Sequence, residues 1–332
     1  MSEPARRHRL DGLEPDNLLA LLGLLRALEV MRPNWRPRAA WDTEEPPLRP
    51  ALLLSESADR QSICTATVEG LRLFEKALLP FSWPRNKQGK ASKTSICTSP
   101  ERFQALAHRL MGAWIAATDH PNPKTRLIWS MRLELLESGI AETPNAKKTG
   151  VEVSPLKLPS GQMSFVGAMF ESVKACRVND ISDSLFNPWT FSTRGDSLRL
   201  AHQEARRYAY RATDPSPEGA RSERGATALG ALGLLAFQLV PRGNGAAMLS
   251  YQGSRQHGLI FWPIWAVDSG GATYSAIVSL LRALSPDNGK ERLKLPAEIV
   301  AYMKAARFVL DPRQGDYGNL GRGELNWFNP RR

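Results

Sequence analysis

The chain has 332 residues, of which 42% are hydrophobic and 23% are charged, and its formal net charge is +11. This composition indicates a folded, soluble protein and excludes a disordered chain. The length fits one large domain or two. An excess of positive charge favours a polyanionic partner, most commonly a nucleic acid, although a basic enzyme has the same composition.

The cysteines and the apolar stretches indicate the compartment. Cys64, Cys97 and Cys176 lie far apart and form no Cys-x-x-Cys pair. This pattern is typical of a reducing environment and argues against a disulfide framework or a zinc site. The N-terminal segment is charged, and the apolar stretches are interrupted by Arg, Gly or Pro. We therefore expect a cytoplasmic protein with no membrane-spanning segment, no metal and no cofactor.

The first half of the chain predicts a helix, then strands, then further helices. Residues 18–28 are leucine-rich and apolar almost all round, with Asp16 or Asn17 as the cap, so we predict a buried helix. The segment 124–139 has mixed spacing and fits a strand followed by a helix. Strands are also predicted over 34–42 and 47–55, and helices over 62–78 and 99–119.

The second half predicts shorter elements. Residues 187–200 alternate, which predicts a strand, a tight turn at Arg194-Gly195-Asp196 and a second strand. The small residues of 226–241 predict a helix or a pair of buried strands, and the tail after residue 313 is expected to be irregular. Further predictions are strand, turn and helix over 151–176, an apolar strand over 258–271, and amphipathic helices over 273–285 and 296–308.

These elements predict a mixed α+β fold, rich in helix, with short antiparallel strands, hairpins and long loops. We place an N-terminal α/β lobe with basic loops at 1–150. We place a C-terminal α+β lobe with a hairpin and an irregular basic tail at 151–332. A single domain with two lobes fits the same pattern, because no true linker separates the halves.

Residues 195–198 spell Gly-Asp-Ser-Leu, the four letters that name a family of serine esterases. Such an enzyme needs its serine near the first strand and an Asp-x-x-His pair downstream of it. Arg199 stands three residues before His202, and Ser254 stands three residues before His257, so neither histidine has an acid in register. We therefore predict a turn at this position, with a stand-alone hydrolase (a nuclease or a GDSL-like esterase) as the alternative function.

Metal and phosphate motifs are weak throughout the chain. Asp119 and His120 resemble a metal-binding pair only in reversed order, and a turn at the end of a helix explains them better. The glycine-containing stretches PRGNGAAM and GNLGRGE match neither nucleotide-binding pattern. We assign no catalytic residue and no metal ligand.

Basic residues concentrate in segments that are predicted as loops, turns and extended arms. Lys and Arg in such places suit contact with phosphate that does not depend on sequence. The candidate nucleic-acid-binding residues are Arg36, Arg38, Arg85, Lys87, Lys90, Lys93, Lys147, Lys148, Arg194 and Arg199. Each alone fits a solvated surface charge, and together they indicate a nucleic-acid or ribonucleoprotein surface. Arg194 and the 87–93 loop are the first candidates for phosphate contact.

Three stretches carry a family resemblance. They are HRLDGLEPDNLLALLGLLRALE, LPSGQMSFVGAMFESV, and the run from PWTFSTRGDSLRLAHQEARRYAYRATDPS through RGATALGALGLLAFQLVP to FWPIW. These stretches resemble accessory proteins encoded with type I-G (formerly I-U) CRISPR systems and, loosely, the large subunits of their Cascade complexes. The resemblance is discontinuous and contains no catalytic motif.

The resemblance implies a non-catalytic subunit of an RNA-guided effector complex in antiviral defence. Its partners would be the other effector subunits and the guide RNA or target DNA. In such complexes the guide supplies sequence specificity, while the protein subunits contact the nucleic-acid backbone. A third possibility is a purely structural interaction protein whose charge serves solubility.

Overall fold

The computed structural model describes residues 6–79, 100–139, 154–158, 165–194, 198–201, 221–242, 245–254, 257–267, 270–283, 299–309 and 318–327. Within these ranges the fold is mixed α+β, as the sequence predicts, with small antiparallel sheets beside a helical core. The helices are α1 (Leu18–Met31), α2 (Arg60–Leu78), α3 (Pro100–Ala116), α4 (Pro123–Glu137), α5 (Phe165–Ala175), α6 (Val178–Phe186), α7 (Arg224–Gly233) and α8 (Tyr274–Ala283). The strands are β1 (Arg6–Arg9), β2 (Arg38–Asp42), β3 (Arg49–Leu54), β4 (Thr193–Arg194), β5 (Arg221–Ser222), β6 (Leu239–Arg242), β7 (Gly245–Met248), β8 (Tyr251–Gly253), β9 (Gly258–Trp265), β10 (Ile299–Val309), β11 (Gly318–Leu320) and β12 (Glu324–Trp327).

Helices α1 and α7 form the centre of the helical core. The predicted leucine-rich helix is confirmed as α1, and the small-residue segment forms α7. A β-carbon on Gly23 of α1 would overlap the carbonyl oxygen of Leu229, and one on Gly233 of α7 would overlap that of Leu19. The two backbones therefore touch at two reciprocal points. Only glycine permits this approach, which buries the leucines of α1 on all sides.

The first sheet has the order β1-β3-β2 and is antiparallel. One of its faces belongs to the core: Trp41 of β2 is buried and packs edge-on against Trp265 of β9, with ring centroids 6.3 Å apart. The indole Nε1 of Trp265 donates a hydrogen bond to the carbonyl oxygen of Ala39. This contact attaches the first sheet to the second.

The second sheet has the order β11-β10-β9-β8, with β12 also paired to β10. Strands β11 and β12 lie along the same edge of β10, because Leu320 pairs with Arg307 and Glu324 pairs with Lys304. Two residues of β10 therefore stand opposite three residues of the tail, which is a bulge. A β-carbon on Gly323 would overlap the carboxylate of Asp16, so the tail passes close to the turn that precedes α1.

Three predicted elements differ from the structure. Residues 123–137 form helix α4 alone, capped by the Asn122 side chain, which accepts a hydrogen bond from the backbone N–H of Lys124 at 3.0 Å. Residues 299–309 are strand β10 and not an amphipathic helix, because the alanines among them satisfy both apolar patterns and pairing with β9 decides between them. The tail also pairs as strands where irregular structure was expected.

The predicted hairpin at 187–200 is wrong. Strand β4 pairs with β5 from a distant segment, and residues 198–200 are not in a strand. The carboxylate of Glu223 accepts hydrogen bonds from the backbone N–H groups of Thr190 and Phe191, each at 3.1 Å. These donors therefore serve a side chain and not a neighbouring strand, which is why the alternating pattern forms no hairpin.

A continuous cluster of buried apolar side chains includes residues from both predicted lobes, and the division at residue 150 stays a prediction. None of the helices in the described ranges is both long enough and apolar enough to cross a membrane.

Candidate nucleic-acid interface

The structure describes some of the predicted binding residues and not others. Arg85, Lys87, Lys90, Lys93, Lys147 and Lys148 lie outside the described residues, so the 87–93 loop stays a prediction. The backbone of Arg194 lies in β4, opposite Arg221 of β5, and not at a hairpin tip. Arg199 is half-buried with a left-handed backbone, φ 55°, in the short segment 198–201. Arg36 and Arg38 are fully described.

Arg36 and Arg38 lie where the chain enters β2. Arg36 ends a single turn of 3-10 helix with φ 45°, and its side chain is exposed. Arg38 is the first residue of β2 and is paired with Leu53 of the central strand. The adjacent Pro33-Asn34-Trp35 turn is held by Ser55, whose backbone N–H donates to the carbonyl oxygen of Trp35. The two arginines therefore project from a fixed backbone.

A third arginine lies on the same sheet face. Leu53 pairs with Arg38 on one side and with Arg7 of β1 on the other. Residues directly opposite each other in antiparallel strands point to the same face, so Arg7 and Arg38 flank Leu53 with Cα atoms about 10 Å apart. We call Arg7, Arg36 and Arg38 the basic sheet edge.

The charges of β1 are partly compensated by acidic residues. Asp42, only 1% exposed, forms ion pairs with Arg7 and with Arg9, the latter at 3.0 Å. Arg9 also pairs with Asp11 and Glu45. These contacts fix the guanidinium groups of β1 above the sheet and leave Arg7 about one-third exposed.

Asp42 is ionised in this arrangement. Burial opposes ionisation of the carboxyl group, but the hydrogen bond and the positive charge of Arg7 outweigh it, so the pKa of Asp42 is below its usual value. The pKa of Arg9 is raised: burial favours the neutral form, but the hydrogen bond to Asp11 and the nearby carboxylates more than offset this effect. The cluster is therefore a permanent set of charges at neutral pH.

Arg38 has no such compensation. Its Nε is buried, and neither a hydrogen bond nor an ion pair to Arg38 exists among the described residues. Its Nη1 lies over the turn Gly270-Gly271, 3.6 Å from where a β-carbon of Gly270 would stand. Both glycines have left-handed φ, 77° and 75°, so the turn brings bare backbone against the guanidinium. Arg38 is thus a half-buried cation with an unsatisfied donor.

The tryptophans on either side of these arginines belong to the core. Trp35 and Trp41 are both buried, so neither presents a ring for stacking on a base. The interface that β2 offers consists of guanidinium groups without aromatic rings, which suits contact with phosphate and provides no ring for base stacking.

Several other arginines have a structural role that the sequence does not reveal. Arg72 of α2 donates to the carbonyl oxygens of Val173, Lys174 and Cys176 and so caps the C-terminal end of α5. Arg132 of α4 donates in the same way to Lys76 and Ala77 at the end of α2. Part of the net positive charge therefore belongs to arginines that stabilise the fold.

The sequence analysis also missed Arg7, Arg109, Lys124 and Arg126. The last three are exposed on the α3–α4 hairpin and form no ion pair within the described part of the chain. Arg126 lies over the ring of Trp114, 5.5 Å from its centroid. The available signal was a helix-forming pattern with cations spaced along it.

The structure describes only some of the residues that the alternative hydrolase hypotheses would require. Ser197 and His202 lie outside the described residues. Asp119 ends a 3-10 turn after α3, and His120 accepts a hydrogen bond at Nδ1 from the backbone N–H of Asn122, 3.0 Å away. The pair therefore shapes the turn into α4. The described residues contain no group of three or more His, Cys, Asp or Glu side chains that is placed to hold a metal ion.

Comparison of the chain with protein-family models, with curated proteins and with solved structures found no match.

Proposed function

We propose that this protein is a non-catalytic subunit of a CRISPR RNA-guided effector complex. In this role it holds the backbone of guide RNA or target DNA electrostatically and contacts neighbouring subunits. The stretches that resemble type I-G proteins suggest the complex, and the net charge of +11 suggests a polyanionic partner. The basic sheet edge is the contact site that the described residues support best.

The observation that carries the proposal is the state of Arg38. The side chain of Arg38 is half-buried and has no hydrogen-bond or ion-pair partner among the described residues, and only its Nε is closed off from solvent. A phosphate oxygen would bind at the Nη groups, which solvent reaches and which no described acceptor occupies. Arginine is suited to this role, since its planar group presents several N–H donors to one phosphate.

The positions of Arg36 and Arg7 would allow contact with more than one phosphate. Arg36 precedes Arg38 by two residues and is exposed, and Arg7 stands across Leu53 on the same face. A nucleic-acid strand that crosses the sheet would therefore meet Arg7 and Arg38 on one face, with Arg36 exposed where the chain enters β2. Such contacts position a backbone without distinguishing bases, which fits a complex in which the guide reads the sequence.

The test is a binding titration on the purified full-length chain. The probes are a single-stranded RNA and a duplex DNA of mixed sequence, each measured by fluorescence anisotropy over a salt series. We expect Arg36→Glu/Arg38→Glu to weaken binding at low salt by roughly tenfold or more and to flatten the salt dependence by about 1.5 units of slope.

The matched control is Lys76→Glu/Lys174→Glu, which changes the net charge equally. Both lysines are exposed, and they lie on helices α2 and α5, outside the sheet that carries Arg36 and Arg38. The proposal requires a smaller effect from the control than from the sheet-edge variant. Equal losses would mean that only net charge matters, and no binding by the wild type at low salt would contradict the proposal.

A further inference from the structure

Helix α3 packs against α4 and leaves its other side uncovered by the described residues. Its outer side carries His108, Met111, Gly112 and Ile115, which recur at intervals of three and four residues and therefore form one face. Met111 is 44% exposed and Ile115 is 58% exposed, so large apolar side chains stand in solvent. We call these four residues the α3 stripe.

Gly112 distinguishes this face from a chance exposure of apolar residues. Five other helical glycines each have an atom of another segment within 2.9 Å of the position that a β-carbon would take: Gly23, Gly70, Gly225, Gly230 and Gly233. Each is explained by the close approach of that segment. A β-carbon on Gly112 would have no atom of the described residues within 4 Å, although glycine weakens a helix interior relative to alanine.

We infer that the α3 stripe docks an amphipathic α-helix of a partner subunit, which crosses α3 at Gly112. Met111 and Ile115 lie on either side of the glycine and would supply the apolar contact. The inference rests on the proposed function in one respect, namely that the partner is another subunit of the same complex.

Charge identifies the kind of partner helix. Between residues 104 and 126 the exposed charged side chains that the structure describes are Arg109, Lys124, Arg126 and a single acid, Asp119. Two copies of this surface would oppose like charges, which disfavours a self-associated dimer. A helix with acidic residues beside its apolar stripe would be complementary. Nucleic acid would pair with the cations but would leave Met111 and Ile115 without an apolar contact.

The first experiment is co-expression of the tagged full-length chain with the subunits encoded by its neighbouring genes and a guide array. We expect Met111→Glu/Ile115→Glu to reduce recovery of at least one partner subunit about tenfold, because two carboxylates would enter an apolar, acid-flanked contact. Ala276→Glu on α8 is the control, since Ala276 is exposed on another helix. It should leave recovery unchanged.

The variant Gly112→Leu distinguishes a loss of docking from a loss of folding. In the purified chain alone this variant should raise Tm by about 1–3 °C, because leucine favours the helix and meets no neighbour. In the co-expression experiment the same variant should lower partner recovery, because the side chain fills the crossing point. A variant that is more stable alone yet weaker in assembly has no explanation from misfolding.

A photo-crosslinking amino acid at position 111 identifies what covers the stripe. The expected product is a crosslink to a helical, acid-bearing segment of a partner subunit. Crosslinks to nucleic acid or to a second copy of the chain, or an assembled complex that tolerates both substitutions, would overturn the docking inference and leave the proposed function intact. Recovery of the chain with neither partner nor RNA would overturn both.

Discussion

Helices α1 and α3 each carry a glycine near the middle, but the two glycines have different surroundings. Gly23 lies against the carbonyl oxygen of Leu229, whereas Gly112 has open space where a β-carbon would be. In α1 the sequence and the packing agree, because the helix is apolar all round and is enclosed by the fold. In α3 the sequence presents a contact surface for which the described part of the chain offers no partner.

The arginines likewise form two groups: those whose side chains bond to other described parts of the chain and those whose side chains do not. Arg72 and Arg132 donate to backbone carbonyl oxygens and complete the ends of helices. Arg38 has a buried Nε without an acceptor among the described residues. Net charge alone treats these side chains as equal. The contacts show which cations bond to other parts of the described chain, and we propose that Arg38 binds another molecule.

The largest expected effect is from Gly23→Ala. The added methyl group would overlap the backbone of Leu229, which no side-chain rotation relieves, so α1 and α7 would have to move apart. We expect the free energy of unfolding to fall by roughly 3 kcal/mol. Chemical denaturation measures it. An unchanged midpoint would show that the two helices are not in backbone contact.

A smaller loss is expected from Arg72→Ala. The substitution removes three hydrogen bonds to the end of α5, and we expect a loss of about 2 kcal/mol. Lys76→Ala is the control, because Lys76 is exposed on the same helix and its change should cost less than about 0.5 kcal/mol. Similar losses in the two variants would remove the capping role.

Asp42→Asn should cost roughly 1–2 kcal/mol at pH 7, since it removes the charged acceptor that Arg7 and Arg9 share, although Arg9 keeps Asp11 and Glu45. The pKa of Asp42 is lowered in the folded state, so its contribution is present above the unfolded value of about 3.9 and is lost as the pH falls through the folded value. The stability difference between wild type and variant should therefore shrink below about pH 4. Urea denaturation at several pH values tests this, and a difference independent of pH would contradict it.

The smallest effect is a gain. Gly112→Ala should stabilise the purified chain by about 1 kcal/mol, because alanine favours a helix interior and its methyl group meets no neighbour. Comparison of the Gly23 and Gly112 alanine variants by thermal denaturation tests the contrast directly. A loss of stability at Gly112 would mean that another part of this chain covers α3.

The sequence predicted helices α1 and α2 and strands β3 and β9 from their apolar patterns, and it predicted β2 as a strand or an extended arm. It failed at β10, whose alanines suit a helix as well as a strand, and at the tail strands, whose pairing partner is β10 itself. It also failed at 187–200, where Glu223, a residue far along the chain, takes the backbone donors that a hairpin would use.

The candidate site was predicted only in part, again because contacts between distant segments place some of its residues. Arg36 and Arg38 were identified from local sequence, but Arg7 was not, because only the pairing of β1 with β3 places it beside them. The capping role of Arg72 depends on carbonyl oxygens about a hundred residues away, as the 101-residue separation from Val173 shows. Contacts at that range have no local signature.

The most direct measurement is co-purification of the tagged full-length chain with its neighbouring gene products and a guide array across a salt series. We expect a ribonucleoprotein of fixed stoichiometry that contains guide RNA, and a reduced RNA yield at increasing salt from Arg36→Glu/Arg38→Glu relative to wild type. A chain that purifies alone and free of nucleic acid at low salt would rule out the proposed role in an effector complex.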